Sequence, residues 1–105
     1  MIIEQRDYLM VPGGVAPYLE KWWALGRDAQ VRHLGEPVAV LTTEVGELNT
    51  LVYLWRFTDT GDRATRRAAL AADPDFAAFR ATVRGLVTRQ TNRLLTIQTP
   101  PTEGR

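Results

Sequence analysis

The sequence predicts an α+β fold, a four-stranded antiparallel sheet with helices on one face, and three observations predict it. Two segments rich in β-branched and aromatic residues, 38–45 and 49–57, stand side by side in mid-chain, and a helical apolar period lies on either side of them. An alternating segment opens the chain, and a short apolar one at Leu94, Leu95 and Ile97 closes it. The order β-α-β-β-α(α)-β is that of a ferredoxin-like unit.

Ile2 to Val11 alternate, with Ile3, Leu9 and Val11 on one side and Ile2, Glu4, Arg6, Tyr8 and Met10 on the other, which predicts a strand. Pro12-Gly13-Gly14 stops it. Val15, Tyr18, Leu19, Trp22, Trp23 and Gly26 then follow helical spacing, with Pro17 in the first turn, where its missing N–H costs nothing. This helix is expected to end near Arg32 or His33, because Gly35 suits a left-handed cap and Pro37 cannot continue it. Val38 to Val45 and Asn49 to Phe57 predict a hairpin joined by Gly46-Glu47-Leu48. Thr58 or Asp59 can cap a helix running to about Ala72, and Asp73-Pro74-Asp75 starts another. Its stripe, Phe76, Phe79, Val83, Leu86, Val87 and Gln90, predicts a helix reaching Gln90, with Arg80, Arg84 and Arg89 off the stripe and Asn92 ending it. Residues 1–99 are expected to form one domain and 100–105, after Pro100-Pro101, a flexible tail.

Leu51, Tyr53, Trp55 and Phe57 share one face of the third strand while Val52 and Leu54 share the other, so both faces ask for cover. One layer of helices covers one face, and a chain of 105 residues has little left for the other. A second copy of the chain is the expected cover, which predicts a homodimer.

Composition narrows the chemistry. There is no cysteine, no serine and a single histidine, His33. Disulfides, zinc-thiolate sites, serine or cysteine nucleophiles and two-histidine metal sites within one chain are excluded. No metal and no cofactor is expected. Net charge is +1, so nothing argues for nucleic acid or an anionic membrane. Twelve arginines stand against one lysine, Lys21. Glu4 and Asp7 lie where a signal peptide would be basic and then apolar, and no run approaches the roughly 18 apolar residues of a membrane helix. With the absence of cysteine, this leads to the expectation of a cytoplasmic protein.

Several constellations offer chemistry, each with a structural alternative. Glu4, Arg6 and Tyr8 project from one strand face and suit a polar ligand, Arg6 as anion clamp and Glu4 or Tyr8 as acid or base; otherwise they form an ion pair that sets sheet register. Asn49, Tyr53 and Trp55 are read on one face of the third strand, Trp55 to stack on a planar ligand and Tyr53 to donate a proton, or else as plain core. Trp22 and Trp23 diverge by roughly 100 degrees, so one packs on the sheet and the other lines a pocket or interface; the spacing leaves open which, and Trp23 is named as the ligand-binding candidate. Arg63 and Arg67, four apart, face one way near a helix start, with Arg66 beside them, and suit an anion or a salt-bridged surface. Glu44 is a base candidate or an ordinary hairpin residue, and His33 reads as a helix-end cation rather than a haem ligand.

In order along the chain stand Glu4-x-Arg6-x-Tyr8, the Leu34-Gly35-x-Pro37 link, Thr43-Glu-Val-Gly-Glu-Leu-Asn49, Tyr53-Leu-Trp55, the Asp62 to Phe76 stretch with Asp73-Pro-Asp-Phe, and Gln90-Thr-Asn-Arg-Leu-Leu95. This set resembles the NIPSNAP family over about residues 2 to 98. The resemblance implies a dimeric α+β barrel of ferredoxin-like subunits and little chemistry, since the family has no agreed activity. The wider barrel superfamily includes cofactor-free monooxygenases, isomerases, haem-degrading enzymes and sensors, which is analogy of fold alone. Two functions compete: a pocket between sheet and helices for a small aromatic or anionic metabolite, with cofactor-independent enzymology in view, or a homodimeric adaptor without a pocket.

Overall fold

The computed structural model describes residues 1–99; the flexible tail expected at 100–105 lies outside the described residues. Strands β1 (Ile2–Met10), β2 (Ala39–Thr42), β3 (Thr50–Phe57) and β4 (Val87–Thr96) form one antiparallel sheet in the order β2-β3-β1-β4. Helices α1 (Val15–Lys21), α2 (Arg27–Leu34), α3 (Thr60–Ala71) and α4 (Pro74–Val83) pack on one face of it. This is the ferredoxin-like α+β arrangement that the element order predicts.

Register decides which side chains meet. Glu4 lies opposite Trp55, Arg6 opposite Tyr53 and Tyr8 opposite Leu51, and directly paired residues share a face. That face is the core: Tyr53, Trp55, Phe57 and Leu51 are at most 1% exposed, with Trp22, Phe79 and Leu70 closing over them from the helices. Among the described residues the opposite face carries no helix. Its β2–β3 half is apolar (Ala39, Leu41, Val52, Leu54), but Gln5 and Asp7 of β1 and Arg93 of β4 make its centre polar, through Gln5 Nε2 to Asp7 (3.0 Å) and Arg93 Nη2 to Gln5 (3.0 Å). The expected wholly apolar face is therefore apolar in part.

Three boundaries differ from expectation. The first helix does reach Gly35, whose φ of 81° ends it, yet Trp22–Gly26 form a π-helical turn in which Arg27 N–H donates to Trp22 O. Gly26 lies so close to Phe79 that a Cβ there would stand 2.7 to 2.9 Å from the ring. The extra residue of the π turn accommodates that contact. The hairpin is shorter on its β2 side, Ala39–Thr42 rather than Val38 to Val45, and turns through residues 43–49 with Gly46 at φ 126° and Asn49 at φ 66°.

The largest correction concerns the last helix. It ends at Val83, a 3-10 turn spans Arg84–Leu86, and Val87–Thr96 is strand, not the helix to Gln90 followed by a short strand. Gly85 weakens the helix there, while β1 has a whole edge of backbone N–H and C=O groups to satisfy. β4 satisfies them from Ile2↔Thr96 to Met10↔Val87, with a bulge at Leu9/Met10. Long-range pairing overrode a helical period that ran seven residues too far, from Val83 to Gln90. No helix among the described residues is long and apolar enough to cross a membrane.

Candidate functional site

Glu4, in the middle of β1, is fully buried, and both of its oxygens are taken by guanidinium groups. Arg67 Nε (3.0 Å) and Nη2 (2.6 Å) donate to Oε1; Arg6 Nη1 (3.0 Å) and Arg63 Nη2 (2.7 Å) donate to Oε2. Two local rules place these donors. Strand period puts Arg6 beside Glu4, and the four-residue helical step puts Arg63 and Arg67 on the same face of α3. That face is turned inward because Asp59 caps the helix through Asp62 N (2.7 Å) and Leu70 anchors it in the core. Arg66 points elsewhere and pairs with Asp62 (2.8 Å).

The charges around Glu4 do not balance. Three side chains with exposures of 15%, 27% and 18% (Arg6, Arg63 and Arg67) surround one carboxylate, leaving a local excess of two positive charges. Burial alone would raise the Glu4 carboxyl, but the hydrogen bond from Arg63 and the charges of Arg67 and Arg6 outweigh it and hold the group below the usual carboxylate range. Burial and then the like charge of Arg6 lower Arg67, against the pull of Glu4. With every Glu4 lone pair engaged, this residue orients arginines and is not a free base.

Arg6 and Arg67 also form one wall of a cavity of about 320 Å³ between sheet and helices. Tyr8, Tyr18 and Phe76 give it an aromatic lining, and Arg80 and Arg84 enter it from α4 and the 3-10 turn. Among the described residues neither Arg80 nor Arg84 has a carboxylate within 4.0 Å, and no Asp or Glu lines the cavity. The Tyr8 hydroxyl oxygen accepts from Arg6 Nε (3.0 Å), which leaves its own proton to give away. The side-chain amide of Asn92 on β4 lies 3.0 Å from Arg6 Nη1.

Of the residues read from the sequence, Glu4, Arg6, Tyr8, Arg63 and Arg67 come together here. Tyr53 and Trp55 lie beneath them, at most 1% exposed, stacked on each other with ring centroids 5.8 Å apart, and Arg67 Cζ sits 6.0 Å from the Trp55 ring centre. Burial, with Tyr18 and Tyr8 nearby, pushes the Tyr53 phenol up. Both aromatics support the cavity floor and neither lines it. Trp23 is 65% exposed and rests on Arg27, because Trp22 takes the inward direction and donates from Nε1 to Gln30 Oε1 (2.6 Å). Asn49 is outside β3, with φ 66°, and its Oδ1 accepts from Gly13 N (2.9 Å), so it ties two turns at the far end of the sheet. Glu44 stands exposed in the 43–49 loop. His33 does not act on the dipole alone: its Nε2 meets Asp73 Oδ2 at 2.8 Å, while Asp73 Oδ1 caps α4.

Sequence reading passed over Tyr18, Arg80 and Arg84. Tyr18 stands within the aromatic stripe of the first helix, and the two arginines lie off the apolar stripe that the spacing picks out. A usable signal existed, because no acidic residue lies three or four positions from either arginine to pair with it along the helix.

The family model described as NIPSNAP matches residues 3–100. A NIPSNAP family protein of unknown function from Agrobacterium tumefaciens is 36% identical, with 90% of this chain and 86% of that one covered and a TM-score of 0.87. An uncharacterised NIPSNAP-like domain protein from Burkholderia xenovorans is 32% identical, with 95% and 89% covered and a TM-score of 0.90. A candidate antibiotic biosynthesis monooxygenase from Nitrosomonas europaea is 10% identical over 94% of this chain and all of its own, at a TM-score of 0.68, a likeness of fold alone. No curated protein matches the chain.

Proposed function

The chain belongs to the NIPSNAP family, and from that premise we propose that it binds a small anionic metabolite with an aromatic or apolar body in the cavity beside Arg6. The observation that carries this reading is the unbalanced cluster behind the cavity, where three partly buried guanidiniums share one carboxylate and two of them, Arg6 and Arg67, line the cavity wall. An anion from solution would complete the pairing that buried charge requires. Tyr8, Tyr18 and Phe76 offer flat apolar surface for the body of the ligand, in a volume at the low end for small-molecule sites.

Tyr8 gives the enzymatic version of this reading. Its oxygen is held by Arg6, so its proton is directed elsewhere, and it lines the same cavity. Tyr8 would donate a proton or hydrogen bond to a carbonyl or enolate oxygen while Arg6 and Arg67 balance the charge that develops, which is proton-transfer chemistry without a cofactor. The partner in this proposal is a second copy of the chain. Leu41 and Leu95, 45% and 36% exposed on the uncovered sheet face, and Val52 and Leu54 beside Leu41, supply the apolar part of that contact. The absence of cysteine accords with a reducing cytoplasm as the compartment.

Thermal unfolding in the presence of benzoate, salicylate and other small aromatic carboxylates tests the pocket. At about 100 times Kd, linkage adds about 2.7 kcal/mol, a rise on the order of 10 °C for a domain of this size. The rise should vanish in a folded Arg67→Gln variant. A flat response across the panel, or one indifferent to Arg67, would overturn the reading.

A further inference from the structure

The four guanidiniums of the cavity come from separate walls. Arg6 and Arg67 approach from β1 and α3 and are tied to Glu4; Arg80 and Arg84 approach from α4 and the 3-10 turn and have no carboxylate partner among the described residues. Resting on the pocket reading above, we infer that the ligand carries two separated acidic groups, one held by Arg6 and Arg67 and the other by Arg80 and Arg84.

Charge is the first reason. Counting Glu4 as the only nearby acid, the lining arginines exceed it by three; Arg6 and Arg67 are partly buried, Arg80 and Arg84 are solvent-exposed, and a single carboxylate on the first pair leaves the second without a counter-charge. A dianion answers most of the excess. The second reason is spacing along the chain: Arg80 and Arg84 stand four residues apart across the end of α4, so both head groups fall on the same side, as a two-point clamp requires. The third is Tyr18, which lines the cavity together with all four arginines. Burial and then Tyr8 push its phenol up, while Tyr53 first and then the charges of Arg6 and Arg80 pull it the other way. Tyr18 and Phe76 then face the connecting body of the ligand, which favours an aromatic or unsaturated dicarboxylate over a flexible one.

Calorimetric titration of the full chain at fixed ionic strength with benzoate and with phthalate, isophthalate and terephthalate tests this. At least one positional isomer should bind tenfold or more tightly than benzoate, and Arg80→Gln/Arg84→Gln should reduce that isomer to the affinity of benzoate. Benzoate bound as tightly as every dicarboxylate, with Arg67 still required, would overturn the two-acid inference and leave the pocket reading standing. No binding by any of the four would overturn both. An advantage for the dicarboxylate that survives Arg80→Gln/Arg84→Gln would show that the second clamp is not these residues.

Discussion

Arg67 lays two nitrogens, Nε at 3.0 Å and Nη2 at 2.6 Å, on one oxygen of Glu4, a residue 63 positions away and wholly out of solvent. The pair joins α3 to the centre of the sheet and fixes the height at which the helix rides over β1. Arg6 and Arg63 share the other oxygen, so a single carboxylate keeps three guanidiniums in place.

Removing that carboxylate should cost more than removing any one of its donors. Glu4→Gln leaves three partly buried cations without their counter-charge, a loss of about 3 kcal/mol, the low end for a broken buried pair because the arginines keep some contact with water. Arg63→Gln leaves Glu4 with three of its four hydrogen bonds and should cost about 1 kcal/mol. Urea denaturation of both variants checks the order. Equal losses would mean that Glu4 is not the hub.

The acid limb of stability has a defined direction. Hydrogen bonds from Arg32 and His33, then from the backbone of Asp75 and Phe76, hold the Asp73 carboxyl far below its ordinary range, and Glu4 is also lowered. A carboxyl lowered in the folded state contributes stability that is complete above its unfolded value, roughly 3.9 for Asp and 4.3 for Glu, and is lost as pH falls toward the folded value. The urea midpoint should therefore be level above about pH 5 and decline below about pH 4. Asp73→Asn, which can still cap α4, should lower the plateau and flatten the decline. A decline of unchanged steepness in that variant would assign the acid limb to other groups.

The π turn depends on Gly26 for room. A methyl group there meets the Phe79 ring at 2.7 to 2.9 Å, and both partners lie in the core. Gly26→Ala should destabilise the fold by about 2 kcal/mol through overpacking, and Phe79→Leu, costly by itself, should recover part of that loss when the two are combined. Strict additivity of the two changes would show that the contact does not set the turn.

Local rules made some of this legible in the sequence. Strand alternation placed Glu4, Arg6 and Tyr8 on one face, and helical spacing placed Arg63 with Arg67, since each relation lies within one element. That the two sets meet on Glu4 depends on how α3 is laid over β1, which no spacing encodes. The direction of Trp22 against Trp23 was open for the same reason: a 100-degree divergence says that one turns inward but not which. The stripe from Phe76 to Gln90 misled because Leu86, Val87 and Gln90 continue a helical period across Gly85 by coincidence, and only the unpaired edge of β1 decides against it.

Asn49 separates a turn residue from a site residue. Its φ of 66° is a conformation that side chains other than Asn and Gly adopt at a cost, and its Oδ1 holds Gly13 N at 2.9 Å. Asn49→Ala loses both the tolerance and the acceptor and should cost about 2 kcal/mol; Asn49→Gly loses only the acceptor and should cost about 1. Because the residue ties the β1–α1 turn to the start of β3, away from Arg6 and Arg67, carboxylate titration of Asn49→Gly should match that of the unaltered chain. A weakened affinity there would return Asn49 to the binding site where its residue type first suggested it.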